Sequence, residues 1–102
     1  MILGRGLKSL VSFASGKQTI AIVRHGENIW TKERKWVGWN DVPLSSFGIK
    51  EMKQCAETLK GKNIAFDAVY TSLLSRAIKS TNYILDELNM HHLPVYKEWR
   101  LN

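Results

Sequence analysis

Cysteine is nearly absent from this 102-residue chain: Cys55 stands alone, so no internal disulfide can form. One free thiol suits a reducing compartment. No apolar run approaches the ~20 residues that a membrane-spanning helix needs. Internal repeats, low-complexity tracts and interdomain linkers are missing as well, and 102 residues leave room for one small domain. Acidic residues are absent from residues 1–18, which carry Arg5, Lys8 and Lys17 and so hold half of the net charge of +6. The remaining 84 residues carry 12 basic and 9 acidic side chains. That dispersed excess suits a protein handling anionic small molecules. A basic stripe interleaved with aromatics, the footprint of a nucleic-acid surface, is also missing. What remains is ordinary globular composition, 44% hydrophobic and 24% charged.

The acid-free leader, Met1 to Gln18, has the composition of a mitochondrial transit peptide and equally that of a plain N-terminal extension. From Thr19 the text changes. Thr19 to Val23 is a β-branched, nearly continuous apolar run, which predicts a strand buried on both faces. Ser45 is placed to cap a helix running to about Lys60, with Ile49, Met52, Ala56 and Leu59 on one face and Gly61 as the stop. Phe66 to Thr71 reads as a second strand. Ser72 is placed to cap a second helix whose inward stripe is Leu74, Ala77, Ile78, Thr81, Leu85 and Leu88, with Asn89 at its end. Leu93 to Tyr96 reads as a third, short strand. Alternation of strand and helix predicts an α/β fold with a parallel sheet and helices on its faces. About 21 residues, Arg24 to Leu44, join the first strand to the first helix. Loops of that length in compact domains are usually functional, and this one starts at the carboxyl end of a strand, where α/β sheets bind ligands.

Arg24-His25-Gly26-Glu27 opens that loop. A histidine there is anchored by a strand yet faces the crevice, and Gly26 lets the backbone turn sharply or approach a ligand. The planar guanidinium of Arg24 can bind phosphate through two hydrogen bonds. Neutral imidazole is a nucleophile able to accept a phosphoryl group when cations neutralise its oxygens. Taken alone, the tetrapeptide is equally an incidental Arg-His pair in a surface loop. Arg76 falls in the first turn of the second helix, just after the second strand. It therefore shares the sheet edge with His25, beside helix N–H groups that already favour anions.

Arg24-His25-Gly26-Glu27 with Trp30, Gly38-Trp39, Asp41-Val42-Pro43-Leu44-Ser45, Gly48, Tyr70-Thr71-Ser72, Arg76-Ala77, Leu93-Pro94-Val95 and Trp99-Arg100-Leu101-Asn102 occur in that order. Together they resemble the cofactor-dependent phosphoglycerate mutases of the histidine phosphatase superfamily, from about Thr19 to Asn102. The resemblance implies a three-layer parallel-sheet α/β fold of the phosphoglycerate mutase-like type, incomplete at its C-terminus. Residues 19–102 would be the N-terminal part of that domain and residues 1–18 an extension. It implies His25 as the catalytic, phosphate-accepting histidine and Arg24 and Arg76 as phosphate-clamping arginines. Gly26, Asn28, Thr31, Val37 and Gly38 fall at substrate-contacting positions. The implied activity interconverts 2-phosphoglycerate and 3-phosphoglycerate in glycolysis and gluconeogenesis, primed by 2,3-bisphosphoglycerate and without a metal. No nucleic-acid or membrane partner follows from it, and homo-oligomerisation of a full-length form stays open. The implied location is the cytoplasm, with the mitochondrion as the alternative that the leader offers.

Three positions depart from the family pattern. Asn28 replaces a common serine, Thr31 a common asparagine, and Val37 a small hydroxyl residue. Thr31 still donates a hydrogen bond, whereas Val37 can offer only backbone groups. These positions bear on the balance between mutase and phosphatase activity. A histidine-type phosphatase acting on a small phosphorylated metabolite is therefore the alternative. In the family a glutamate directly follows the Trp-Arg-Leu-Asn segment and acts as acid and base. Glu27 and Glu98 are the nearest carboxylates here and neither matches it, so residues 1–102 alone are expected to be an inactive fragment. His91 and His92 are adjacent, which is wrong for helical metal ligands. The four tryptophans read as packing and loop anchors, and Cys55 reads as core rather than nucleophile.

Overall fold

The computed structural model describes residues 11–14 and 20–102. Its elements run β1 (Val11–Ala14), β2 (Ile20–Val23), a single helical turn α1 (Ile29–Lys32), α2 (Ser46–Gly61), β3 (Val69–Thr71), α3 (Ser75–Leu88) and β4 (Val95–Lys97), followed by a 3-10 turn, Trp99–Leu101. Apart from Val11–Ala14, the leader, together with Thr19, lies outside the described residues.

Local sequence sets α2 as expected. The Ser45 hydroxyl accepts from Gly48 N at its start, and Lys62 follows Gly61 as the C-terminal cap. Gly48, Met52, Cys55, Ala56 and Leu59 form its buried face. Met52, Cys55 and Leu59 make the core, packed by Ala21 and Val23 of β2, by Phe66, and by Tyr83, Ile84 and Leu88 of α3. Removing Met52 from water contributes roughly 1.5–3 kcal/mol. Burial pushes the Cys55 thiol up to about 11, so it is protonated core, as read from its place beside the apolar stripe.

α3 starts later than its sequence suggests. Ser72 does not cap it. Its hydroxyl instead accepts from Leu74 N, and Leu74, in the cap position, supplies no side-chain bond. The acceptor comes from the long loop: Asp41 Oδ1 takes the Ser75 N–H at 2.6 Å. A carboxylate at the positive end of a helix outcompetes a neutral hydroxyl there. The C-terminal end follows expectation, with Asn89 in the left-handed conformation at φ 55°.

The α/β architecture holds, with α2 against α3 and β3 parallel to β4 in the register Val69 to Val95, Tyr70 to Tyr96 and Thr71 to Lys97. The strands themselves divide differently from a single three-stranded ladder. β2 pairs antiparallel with β1, Val23 opposite Val11, and the described strands form two two-stranded sheets. A strand five residues upstream can pair antiparallel through a short connection, whereas parallel pairing needs a crossover. β2 accordingly buries only one face: Ala21 and Val23 pack on the core while Ile20 and Ile22 stay exposed.

Candidate active site

β2 delivers Arg24 and His25 at its carboxyl end, and the next residues are fixed from several directions. A Cβ on Gly26 would lie 2.3 Å from Gly48 O, and one on Gly48 would lie 2.0 Å from Glu27 O. The loop and α2 thus touch backbone to backbone, a spacing only two glycines permit. Gly26 N donates to the Ser80 hydroxyl on α3 at 3.3 Å. Glu27 N donates to Glu51 Oε1 on α2 at 2.9 Å. Ser45 N donates to Glu27 O at 2.8 Å, and the Ser45 hydroxyl donates to Glu27 Oε1 at 2.8 Å.

His25 Nδ1 lies 2.7 Å from Gly26 O. A carbonyl only accepts, so in this bond Nδ1 carries the proton and Nε2 keeps its lone pair. Burial, the main cause, holds the His25 pKa below its ordinary value; the charges of Arg76 and Arg24 add to this and the Gly26 carbonyl opposes it. The ring therefore favours the neutral form, with the Nε2 lone pair unprotonated and the charges of Arg24 and Arg76 near it.

Arg24, His25, Gly26 and Thr31 line one open cleft of about 160 Å³ with Glu27 and, from α2, Phe47 and Glu51. The other residues singled out by sequence, Asn28, Val37, Gly38 and Arg76, are not among those that line it. Asn28 is buried and accepts from Thr31 N at 2.8 Å, capping α1 and setting Thr31 at the cleft. Its Nδ2 has no partner among the described residues. Arg76 is 6% exposed, and its two terminal nitrogens donate to Asn40 O at 2.6 Å and Gly38 O at 2.8 Å. Its Nε is buried and without a partner among the described residues. Gly38 has φ +54°, a conformation that favours glycine. The Val37 carbonyl accepts from Asn40 N at 3.0 Å and Asn40 Nδ2 at 2.9 Å. Trp39 meets Trp99 edge to face at 6.3 Å, joining the Gly-Trp and Trp-Arg-Leu-Asn segments, while Trp36 is 97% exposed.

Glu98 is committed to Arg100 at 2.7 Å, and exposed His91 pairs with Asp86. No three His, Cys, Asp or Glu side chains among the described residues are placed to hold a metal ion. Sequence reasoning missed Phe47, Glu51 and Ser80. For the first two a signal existed, since both flank Gly48 on the face of α2 that Gly26 approaches.

The profile of the histidine phosphatase superfamily (branch 1) matches residues 20–102. The chain belongs to that superfamily. Among its superfamily relatives is the 2,3-bisphosphoglycerate-dependent phosphoglycerate mutase of Porphyromonas gingivalis, 46% identical over 83 residues that cover 81% of this chain and 34% of that protein. A phosphoglycerate mutase structure from Bacillus anthracis superposes with a TM-score of 0.70 at 29% identity, covering 76% of this chain and 34% of that one. A phosphoserine phosphatase from Entamoeba histolytica in complex with 3-phosphoglyceric acid gives a TM-score of 0.60 at 31% identity, covering 74% and 34%. The chain thus spans about a third of the length of the curated superfamily relatives it matches. Among the described residues no helix is long and apolar enough to cross a membrane.

Proposed function

We propose that this chain carries the phosphohistidine half of a 2,3-bisphosphoglycerate-dependent phosphoglycerate mutase, with His25 Nε2 accepting the phosphoryl group. The observation that carries this reading is the bond from His25 Nδ1 to Gly26 O, which leaves Nε2 free in a cleft bordered by Arg24. The naming of relatives at 46% identity supports the mutase assignment.

The residues present fit an anionic phosphate ester. Arg24 and Thr31 would hold it from the cleft, and Arg76, whose charge is felt at His25, would supply the second cation. When bound, 2,3-bisphosphoglycerate supplies the phosphoryl group that primes His25. Arg24 and Arg76 neutralise the transferring oxygens, and Gly38, held by Arg76, shapes the approach. Proton exchange with the substrate hydroxyl needs a further group: Glu27 is bonded to Ser45, Glu98 to Arg100, and Glu51 to Glu27 N. Residues 1–102 by themselves are therefore expected to take up phosphate on His25 without completing mutase turnover. The setting is proposed to be cytoplasmic glycolysis.

Phosphatase chemistry is the second reading, favoured by Val37, which has no polar side-chain atom and whose carbonyl is taken by Asn40. One experiment separates these readings. Labelled 2,3-bisphosphoglycerate should leave acid-labile, base-stable label on the chain and none on His25→Ala; undiminished label in the variant sinks the assignment. Release of that label as inorganic phosphate when phosphoglycerate is present would favour the phosphatase reading.

A further inference from the structure

We propose that Ser80 is the positioning residue that keeps the His25 loop in register with Arg76. Its part in phosphoryl transfer rests on His25 being the nucleophile; the geometry itself does not. Ser80 lies one helical turn after Arg76 on α3 and is 4% exposed. Its hydroxyl donates to Arg76 O at 2.7 Å, the ordinary back-bond of a serine inside a helix. That bond aims a lone pair of Oγ outward, where it accepts the N–H of Gly26, a residue 54 positions earlier. Among the described residues, this is the hydrogen bond that joins the stretch Arg24 to Asn28 to the helix bearing Arg76, whose other ties to the long loop fall further on, at Gly38, Asn40 and Asp41.

The two peptide planes after His25 are thereby fixed from two helices. Ser80 holds the His25–Gly26 peptide through its N–H, and Glu51 holds the Gly26–Glu27 peptide through its own. Gly26 O, the acceptor of His25 Nδ1, belongs to the second of these planes. Without the Ser80 hydroxyl the first plane can rotate, the Nδ1 bond loosens, and the proton can return to Nε2. A buried amide would also lose its acceptor. Gly26 is needed too, because its missing Cβ lets α2 approach the same two peptide planes.

The test uses the whole chain and two isosteric variants, Ser80→Thr and Ser80→Val, which differ only in hydroxyl against methyl. Long-range nitrogen–proton NMR of His25 reports the tautomer, and amide hydrogen exchange reports Gly26. The original chain and Ser80→Thr should show the Nδ1–H tautomer and a protected Gly26 amide. Ser80→Val should show a mixed tautomer and exchange at Gly26 about tenfold faster. Identical tautomer and exchange in the Thr and Val variants would overturn the proposal. Should Ser80→Val not fold, the original chain decides, since a Gly26 amide without protection refutes the bond. Phosphate labelling of the same samples is scored separately. A tautomer difference without label supports Ser80 and refutes the transfer reading; label without a tautomer difference refutes Ser80 alone.

Discussion

Two stretches of the same long loop are built on opposite terms. Arg24 to Asn28 is gripped by Ser80, Glu51 and Ser45 and touches Gly48 backbone to backbone. Glu33 to Trp36, a few residues on, is exposed throughout and turns on Arg34 at φ 61°. Its backbone is tied by bonds from Glu33 N and Arg34 N to Thr31 O and from Lys35 N to Trp30 O, all within the stretch itself or the turn just before it. His25, the proposed nucleophile, stands where the backbone is over-determined. A phosphoryl acceptor must be placed within fractions of an ångström, and only contacts from separate elements provide that.

The largest effect should follow from prying the gripped stretch off α2. Gly48→Ala places a methyl 2.0 Å from Glu27 O, and the contact is backbone against backbone, so no side chain can yield. It should destabilise the chain by on the order of 3 kcal/mol, seen in chemical denaturation, and detach the loop that carries His25. Unchanged stability would mean that loop and helix do not touch.

Next in size is Arg76. Its loss removes the clamp on Gly38 and Asn40 together with a cation near His25. Arg76→Ala should slow phosphate transfer to His25 by about 10²-fold or more, equivalent to roughly 3 kcal/mol. Arg76→Lys should recover only part of this, since lysine keeps the charge but cannot reach two carbonyls at once. Equal rates for the lysine variant and the original chain would show the fork to be irrelevant.

How much of this was legible follows from sequence distance. Ser45 capping α2, Asn89 closing α3 and the Arg24-His25-Gly26 turn are local, and each could be read from neighbouring residues. Asp41 capping α3 from 34 residues away, Glu51 bonding Glu27 N from 24, and Ser80 bonding Gly26 N from 54 have no local signature. Ser72 was the better local candidate for the cap and lost to Asp41 because charge outweighed proximity. The β1 pairing lay hidden for a different reason: acid-free composition says how a segment is charged, and nothing of which strand it meets.

A smaller effect should come from Arg24→Gln, which leaves the loop's hydrogen bonds in place. Arg24 helps to lower the His25 pKa, so removing its charge should raise that pKa, read from the imidazole shifts in an NMR titration. The sign fixes the stability effect too. As pH falls below about 6.5, an unfolded histidine takes up a proton that buried His25 resists, so stability is lost until the folded pKa is passed. Arg24→Gln should narrow that acid-side loss. A titration midpoint unmoved or lowered would mean that Arg24 lies too far from the ring to act on it.

The smallest effects belong to the exposed tip. The ion pair of Lys35 Nζ with Glu33 Oε2 spans 2.7 Å, but both side chains are more than half exposed. Water screens such a pair, and holding two long side chains together costs entropy, so its net worth is about 0–1 kcal/mol. Trp36, at 97% exposure, gives up almost no buried area when truncated. Lys35→Ala and Trp36→Ala should therefore each change unfolding free energy by less than about 0.5 kcal/mol, and leave the His25 tautomer and pKa as they are. Added salt should shrink the Lys35 effect further. A loss above ~1 kcal/mol in either variant would show that the tip packs against structure after all, and the contrast between the two ends of the loop would fail at that end.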